Sequence, residues 1–424
     1  MQPFRFVHAA DLHIDSPFKG LLKYELRIAQ RLKEATFEAY ENLIDLCIAQ
    51  NVNFLVIAGD VYDGADRSVQ AQMRFRGGLD RLHEHGIQSF VVHGNHDPLD
   101  GRLSRIRMPE SAHTFGPEPE WVSASIAGTS VAQIPIAQIQ GISYPTQEVH
   151  DNLALQFAPP SDGLFSIGLL HCNVGGIAEH DNYAPCTIED LSGTGIDYWA
   201  LGHVHTRQTL KSANPMIAYP GNLQGRHPNE SGARGALIVD VDETGRPTST
   251  FAPLDVVRWE LLSVSIDGLS DLDALLDAAH VSIDEERVRA GERDLVCRIS
   301  LIGRGPLHGD LSAENAIRDL TDVLRGSYAA TAPFAWVERI SDRTGPQIDI
   351  DALAKRDDFV GAVMKRSVAV LEEDSAEIKL RDSLSNVLAQ RRFSGILEMP
   401  DDPQLAEIVN AARWELAELF GREE

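Results

Sequence analysis

Short apolar runs alternate with longer amphipathic segments over the first 255 residues of the chain. Phe4–Ala9, Phe54–Ala58 and Phe90–Val92 have the composition of strands. Between them, residues 23–50 and 67–85 carry apolar side chains at helical spacing. This order of strand, helix, strand, helix and strand predicts an α/β core.

The same pattern predicts later strands at residues 165–170, 198–201, 216–219 and 236–240. Turn-forming residues at 242–245 follow the last of these, so the sequence predicts a hairpin there.

The pattern changes near residue 255, where a block of about 90 residues begins that alternates three predicted strands with two predicted helices. The strands are expected at 259–266, 295–302 and 334–340, and the helices at 271–279 and 314–325. From Asp349 onward the chain is charged and helical in pattern. We therefore predict three domains, at residues 1–255, 256–345 and 346–424.

Charge and composition narrow the classes of protein. The 424 residues include 38 Lys and Arg against 63 Asp and Glu, a net charge of −25. A uniformly acidic surface repels nucleic acid, so this number alone argues against a DNA partner. The acidity is uneven, however, because residues 1–240 carry −10 and the shorter segment 241–424 carries −15.

Four widely spaced cysteines with no CxxC pair argue against a disulfide framework or a structural zinc site, and they fit a reducing compartment. No apolar run approaches the roughly 20 residues of a membrane span. We also find no signal peptide before the first predicted strand. We therefore expect a soluble, cytoplasmic protein that does not bind membranes.

Five polar clusters follow predicted strands of the first domain directly. Open α/β sheets place ligand sites at the carboxyl ends of their strands, so these clusters are candidates for one common site. The clusters are Asp11-Leu12-His13, Gly59-Asp60-Val61-Tyr62-Asp63, Gly94-Asn95-His96-Asp97, His171 and Gly202-His203-Val204-His205.

The donor types in these clusters are carboxylate, imidazole and amide oxygen, a mixture that suits Mn²⁺, Fe²⁺ or Zn²⁺ better than Mg²⁺ alone. Seven candidate ligands are too many for one ion and suit two ions that share a carboxylate. The seven are Asp11, His13, Asp60, Asn95, His171, His203 and His205.

The series D-x-H, G-D-x-x-D, G-N-H-D, H and G-H-x-H resembles the calcineurin-like metallophosphoesterase superfamily, over about residues 5–230. The branch it resembles is that of the SbcD-type DNA exonuclease subunits, in particular the YhaO-like group. Residues 9–13, the later stretch Tyr219–His227 and the following small α/β block carry that resemblance. It implies a four-layer β-sandwich flanked by helices, then a small α/β capping domain and a C-terminal helical region.

The resemblance also implies roles for the candidate ligands. One ion is expected on Asp11, His13 and His205, the other on Asn95, His171 and His203, with Asp60 bridging both and a metal-bridging hydroxide as nucleophile. His96 is expected to stabilise the phosphorus centre or protonate the leaving oxygen, and Asp97 to orient the His96 ring. The two divalent ions are expected to be Mn²⁺, with Fe²⁺ or Zn²⁺ as alternatives.

The chain departs from the exonuclease branch at Asp63, where that branch often has a second histidine. Asp63 is therefore either a residue supporting the site or a helix N-cap, and the preference between exonuclease, endonuclease and phosphatase stays open. His203 and His205 taken singly fit ordinary buried histidines equally well. Arg226 and His227 are candidates to contact substrate phosphate, with a solvated loop as the alternative.

Basic residues gather in two groups in the first domain: Arg67, Arg74, Arg76 and Arg81, and then Arg102, Arg105 and Arg107. The second group follows the Asn95–Asp97 cluster closely, so it is a candidate contact to a phosphate backbone, with routine surface ion pairs as the alternative.

The leading hypothesis is a Mn²⁺-dependent nuclease subunit of DNA repair that hydrolyses phosphodiester bonds. The alternatives are a phosphatase or phosphodiesterase acting on a small nucleotide or phosphoprotein, and a non-enzymatic scaffold. The resemblance implies a separate SMC-like ATPase, since this chain has no GxxxxGK[ST] loop. The C-terminal helices are a candidate dock for it, and a homodimer stays open. The candidate apolar anchors, which could equally pack on the chain's own core, are Trp414, Leu416, Leu419 and Phe420.

Overall fold

The computed structural model describes residues 1–16, 26–64, 68–101, 106–127, 133–160, 163–176, 182–372, 374–388 and 399–421. The chain divides into two compact units. The first comprises Met1–Leu261, Glu285–Cys297 and Tyr328–Glu338, and the second comprises Leu262–Asp284, Arg298–Ser327 and Arg339–Glu424. Across the described ranges, no helix has the length and apolar character needed to span a membrane.

The strands in the described residues are numbered in chain order. They are β1 (Phe4–Ala9), β2 (Phe54–Ala58), β3 (Gln88–Val92), β4 (Ala112–Thr114), β5 (Glu120–Ala127), β6 (Gln133–Ile142), β7 (Phe165–His171), β8 (Tyr198–Gly202), β9 (Gln208–Ser212), β10 (Met216–Tyr219), β11 (Gly235–Val241), β12 (Pro247–Pro253), β13 (Val257–Ser265), β14 (Asp294–Ile302) and β15 (Ala335–Asp342).

The helices are numbered in the same way. They are α1 (Leu26–Ala49), α2 (Val69–Glu84), α3 (Ile188–Ser192), α4 (Leu272–Ala290), α5 (Leu307–Leu311), α6 (Ala316–Tyr328), α7 (Ile350–Lys355), α8 (Phe359–Glu372), α9 (Asp374–Leu388) and α10 (Asp402–Gly421).

Two six-stranded sheets form the first unit. One has the order β12-β11-β1-β2-β3-β4 and the other the order β5-β6-β7-β8-β10-β9. The strands β1, β2 and β3 run parallel, as do β6, β7 and β8. The carboxyl ends of each parallel group therefore meet at one edge, which is where the predicted polar clusters lie.

The two sheets pack face to face over an apolar layer to which both contribute aromatic side chains. The Phe6 ring stacks on Phe54 with centroids 5.0 Å apart and meets Tyr198 of the other sheet edge-on at 5.2 Å. Because successive strand residues point to opposite faces, Phe54 and Val56 face this layer.

Leu55 on the alternate face of β2 joins a second cluster beneath α1 and α2, to which Tyr40 and Phe75 contribute. The outer face of the other sheet is covered by loops and α3, around the buried Trp199 and Tyr219. Helices, sheet, sheet and a loop-and-helix cover make four layers, as the sequence resemblance implied.

The strands β13, β14 and β15 form a third, three-stranded sheet. Within the first unit, Trp259, Val296 and Trp336 from these strands pack with Ile28 and Leu32 of α1.

The second unit holds the C-terminal helices. Val360 and Met364 of α8 pack with Leu416 and Ala417 of α10. The guanidinium of Arg304 lies 3.9 Å from the centre of the Trp414 ring. Two of the four candidate docking residues, Trp414 and Leu416, therefore pack within their own unit, as the alternative interpretation held. Leu419 is 70% exposed, and the side chain of Phe420 lies outside the described residues.

The α/β core, the strands before each polar cluster and the β11–β12 hairpin confirm the sequence predictions. The sequence analysis did not predict β4, β5, β6 or β9. The three-domain division stays a prediction, since the two compact units do not correspond to it.

Candidate active site

Three loops at the sheet edge are joined by backbone hydrogen bonds before any metal-ligating side chain acts. The Asp11 N–H donates to the Gly59 carbonyl at 3.1 Å, and the His13 N–H donates to the Asp60 carbonyl at 3.0 Å. The His96 N–H donates to Asp60 Oδ1 at 3.0 Å. These bonds bring the loops after β1, β2 and β3 together.

Four of the seven candidate ligands have left-handed backbone conformations, which non-glycine residues adopt at a cost. The φ angles are 51° at Asp11, 44° at His13, 51° at Asp60 and 99° at His203. Such strain is typical of functional sites, where the surrounding structure enforces it.

Glycine is required at position 202 by close packing. A Cβ on Gly202 would collide with the Ala58 carbonyl oxygen. The loop that carries His203 and His205 therefore lies directly against the end of β2, beside Asp60.

Asp11, His13 and His205 form the first group of converging ligand atoms. The Nε2 atoms of His13 and His205 lie 3.2 Å apart, and His205 Nε2 lies 3.9 Å from Asp11 Oδ1. Asp11 also accepts hydrogen bonds from the His203 N–H at 3.2 Å, which fixes the carboxylate.

Asp60, Asn95 and His171 form the second group. His171 Nδ1 lies 2.9 Å from the Ala58 carbonyl, so it donates there and Nε2 faces the site. That Nε2 lies 3.0 Å from Asn95 Oδ1 and 3.4 Å from Asp60 Oδ2. The His203 ring meets His171 edge-on, with centroids 5.2 Å apart.

Asp60 lies between the two groups, because Oδ2 is also 3.8 Å from His13 Nε2. This is the position required of a carboxylate that two ions share. The structure thus brings together all seven candidate ligands named from the sequence.

The electrostatics of the site favour cations. Burial alone would lower the pKa of His171, but the negative charges of Asp60 and Asp11 raise it to about 9. Burial raises the pKa of Asp11, against the opposing charge of His205. His171 Nε2 faces two oxygen acceptors, so a positive charge must lie between them, supplied by a proton or by a metal ion. Carboxylate, amide and imidazole donors in this arrangement fit divalent metal ions.

Burial also lowers the pKa of His13 to about 3, with the nearby Arg226 adding to the effect. His13 is therefore neutral over the physiological range, which is the form that ligates a metal.

Asp63, rather than Asp97, is the carboxylate that meets His96. Asp63 Oδ1 lies 3.1 Å from His96 Nδ1, whereas Asp97 accepts hydrogen bonds from the His93 ring at 2.9 Å and the Gly94 N–H at 2.8 Å. This differs from the expectation that Asp97 orients His96. The reason is geometric: neighbouring residues in this tight loop point in different directions, and Asp97 is turned into the protein.

His96 faces the site from a half-buried position. Burial alone would lower the pKa of His96, but the hydrogen bond with Asp63 and the charge of Asp60 raise it above its ordinary value. The helix N-cap alternative for Asp63 is not observed, because Ser68 caps α2.

Arg226 lies beside Asp63 at the edge of the site. Its Nη1 is 3.4 Å from Asp63 Oδ1 and donates to Ser16 Oγ at 3.3 Å, and Ser16 in turn donates to Asp63 Oδ2 at 2.7 Å. The Nε of Arg226 is buried and has no acceptor among the described residues.

Glu230 was missed by the sequence analysis. Its Oε1 lies 2.7 Å from His205 Nδ1, and its Oε2 accepts from Asn222 Nδ2 at 2.9 Å and from the Arg226 N–H at 2.6 Å. Burial alone would raise the pKa of Glu230, but the hydrogen bond from His205 and the charge of Arg226 hold it well below its ordinary range. The signal available was a carboxylate four residues after Arg226, next to the loop already singled out.

The remaining candidate substrate contacts are less well supported. Arg102 and Arg105 lie outside the described residues, as does Arg67. Arg107 is exposed and lies 3.9 Å from Glu110. His227 is exposed, and its ring accepts a hydrogen bond from the Asn229 N–H.

The arginines of α2 pair with acidic residues of the chain itself, as the alternative interpretation held. Arg74 lies 3.2 Å from Glu34, and Arg76 lies 3.2 Å from Asp80. Arg81 contacts Glu41 at 3.0 Å.

Comparison with known protein families agrees with this geometry. Residues 4–207 match the model of the calcineurin-like phosphoesterases, and residues 259–345 match that of the middle domain of metallophosphoesterase YhaO. The chain belongs to the calcineurin-like metallophosphoesterase family, and is thus related to hydrolases of phosphoester bonds.

Among individual proteins, the chain is 34% identical to the uncharacterized metallophosphoesterase YhaO of Bacillus subtilis, over 85% of this chain and 86% of that protein. It is 23% identical to the DNA double-strand break repair protein Mre11 of Sulfurisphaera tokodaii, over 61% of this chain and 66% of that one. It is also 23% identical to the D component of the SbcCD nuclease of Bacillus subtilis, over 64% and 75% respectively.

Proposed function

We propose that this metallophosphoesterase is a two-metal-dependent nuclease subunit that hydrolyses phosphodiester bonds of DNA. The observation that carries the proposal is the convergence of seven metal-ligand side chains beside one half-buried imidazole, His96. Asp11, His13 and His205 would hold one ion, Asn95, His171 and His203 the other, and Asp60 both. When bound, two ions of the Mn²⁺ type would offset charge on the phosphate and activate water as the nucleophile.

The chain's own residues supply the remaining chemistry. His96, held by Asp63, is placed to donate a proton to the leaving oxygen of the ester. Arg226 offers a buried Nε–H with no acceptor in the described part of the chain, which suits a non-bridging oxygen of the phosphate.

DNA as the substrate rests on the relatives. Mre11 is by its name a double-strand break repair protein, and the D component of SbcCD is by its name part of a nuclease. A role in DNA repair, and a separate SMC-like ATPase as partner, are part of the proposal on that ground. Exposed Leu419 on α10 is one apolar group of the second unit that a partner could cover.

A phosphatase or phosphodiesterase acting on a small ester is the second candidate. Two observations favour it: the arginines of α2 are paired with acidic residues of the chain, and Asp63 stands where the exonuclease branch often has a histidine. Both reduce the features that distinguish a DNA-cleaving site.

The test uses the full chain with Mn²⁺ and labelled duplex, single-stranded and hairpin DNA, beside bis-p-nitrophenyl phosphate and p-nitrophenyl phosphate. We expect cleavage of DNA and of the diester, both abolished by EDTA and by His96→Ala. His150→Ala is the matched control, because His150 is an exposed histidine paired only loosely with Glu148 at 3.8 Å.

Cleavage of the small esters with no DNA form cut would transfer the proposal to the second candidate. No hydrolysis of any substrate, together with no metal bound, would overturn both and leave the scaffold.

A further inference from the structure

The two sides of the metal centre differ in what lies behind their histidines. On the second side, the group behind His171 is a neutral one, the Ala58 carbonyl. On the first side, the group behind His205 is a buried carboxylate, that of Glu230, at 2.7 Å from Nδ1.

Glu230 is held on both oxygens, so its position is fixed independently of His205. Oε2 accepts from Asn222 Nδ2 and from the Arg226 N–H, and Arg226 Nη2 lies 3.6 Å from Oε1. The side chain is only 13% exposed, which protects these hydrogen bonds from competition by water.

The backbone of His205 is held by the same loop. Arg234 Nη1 donates to the His205 carbonyl at 2.5 Å and to Asn222 Oδ1 at 3.1 Å, and the Asn222 N–H donates to the His205 carbonyl at 3.2 Å. Residues 221–234 therefore grip His205 at both its ring and its carbonyl. We call this segment the His205 clamp.

We propose that Glu230 is the positioning residue of the first metal ion: through His205 Nδ1 it fixes the tautomer and orientation of the ring that ligates that ion. A carboxylate behind a ligating imidazole raises its basicity and aims its other nitrogen, and removing such a partner lowers metal affinity by about 10- to 100-fold. The inference rests on the proposed function, because it takes His205 as a metal ligand.

The consequence is an asymmetric centre. Loss of the Glu230 charge should weaken the ion on Asp11, His13 and His205, and leave the ion on Asn95, His171 and His203 at its original affinity.

The experiment is calorimetric titration of Mn²⁺ into metal-stripped full-length protein, wild type against Glu230→Gln. Glutamine keeps the shape but has one acceptor oxygen, so its amide group must face a donor. We expect two ions in the wild type, and in the variant a dissociation constant about 10- to 100-fold higher for one ion only.

Glu120→Gln is the matched control, because Glu120 lies 3.0 Å from His113 Nε2 in a similar pair away from the site. We expect it to bind both ions as the wild type does. Glu230→Asp, which keeps the charge but shortens the side chain, should give an affinity between those of the wild type and the glutamine variant.

Thermal unfolding of the metal-free proteins separates positioning from folding. A Glu230→Gln variant as stable as the wild type, with one ion weakened, supports the proposal. Equal affinity for both ions in the wild type and Glu230→Gln would overturn it, as would equal weakening of both ions. Failure of the wild type to bind two ions would instead overturn the proposed function.

Discussion

Two aspartate–histidine pairs lie within a few residues of each other and have different surroundings. Asp97 and His93 are enclosed, with side chains 0% and 9% exposed, and lie 2.9 Å apart. Asp63 and His96 lie 3.1 Å apart, with side chains 17% and 41% exposed. The first pair holds the loop together, whereas the second leaves an imidazole accessible at the site.

The difference between the pairs follows from their other partners. Besides His93, Asp97 accepts from the Val61 and Gly94 N–H groups, which joins the loops after β2 and β3. Besides His96, Asp63 contacts His13, Arg226 and Ser16, which all lie at the site. Nearness in sequence therefore does not decide which carboxylate serves which imidazole.

The largest expected effect separates the two histidines. His96→Ala should lower kcat by about 100- to 10,000-fold, the usual contribution of a positioned acid, with the free energy of unfolding little changed. His93→Ala should lower the free energy of unfolding instead. Hydrolysis of bis-p-nitrophenyl phosphate and urea unfolding measure the two quantities, and a stable, active His93→Ala variant with an unstable His96→Ala variant would reverse the assignment.

The next effect concerns the enclosed carboxylate. Asp97→Asn places an amide N–H₂ among the N–H groups of Val61, His93 and Gly94, so buried donors lose their acceptor. We expect a loss of about 2–3 kcal/mol in the free energy of unfolding, measured in urea. Asp100→Asn, at a nearby position outside this network, should be neutral, and an equally neutral Asp97→Asn would show that the loop is held otherwise.

Asp63→Asn should have the smaller and opposite signature. The His96 ring keeps a neutral partner, so we expect about a 10- to 100-fold loss in kcat with little change in stability. The same two assays suffice, with Asp100→Asn again as control. Loss of stability larger than that of Asp97→Asn would contradict the comparison.

His8 extends the comparison to a buried imidazole that bonds to neutral groups. Its ring bonds to Tyr198 Oη at 3.0 Å and the Leu201 carbonyl at 3.1 Å, and burial lowers its pKa to about 3. The unfolded chain, with an ordinary pKa near 6.5, binds the proton more readily below that pH. This contribution to stability is therefore complete above pH 6.5 and falls as the pH drops toward 3.

Between pH 6.5 and 5.5 the loss attributable to His8 should approach about 1.4 kcal/mol. We expect the free energy of unfolding of His8→Asn to fall less steeply than that of the wild type in this window. Urea unfolding of the metal-free proteins measures both slopes, and parallel slopes would contradict the assignment.

The α/β core and the converging ligands were predictable because each ligand cluster directly follows a strand, so local pattern decides its place. The partners of Asp63, Asp97 and Glu230 were not, since a loop's side-chain directions depend on contacts distant in sequence. Glu230 reaches His205 across 25 residues, and Asp63 reaches His96 across 33. The edge strands β5 and β9 were missed because their half-exposed residues lack a continuous apolar run.

The left-handed backbone at Asp11, His13 and Asp60 has an evolutionary consequence. Glycine at each of these positions would relieve backbone strain of about 1 kcal/mol or more, so the intact ligand set is the less stable choice for the fold. A lineage that no longer needed the ions would gain stability by replacing these residues. A relative with glycine at these positions is therefore expected to have lost hydrolysis while keeping the fold.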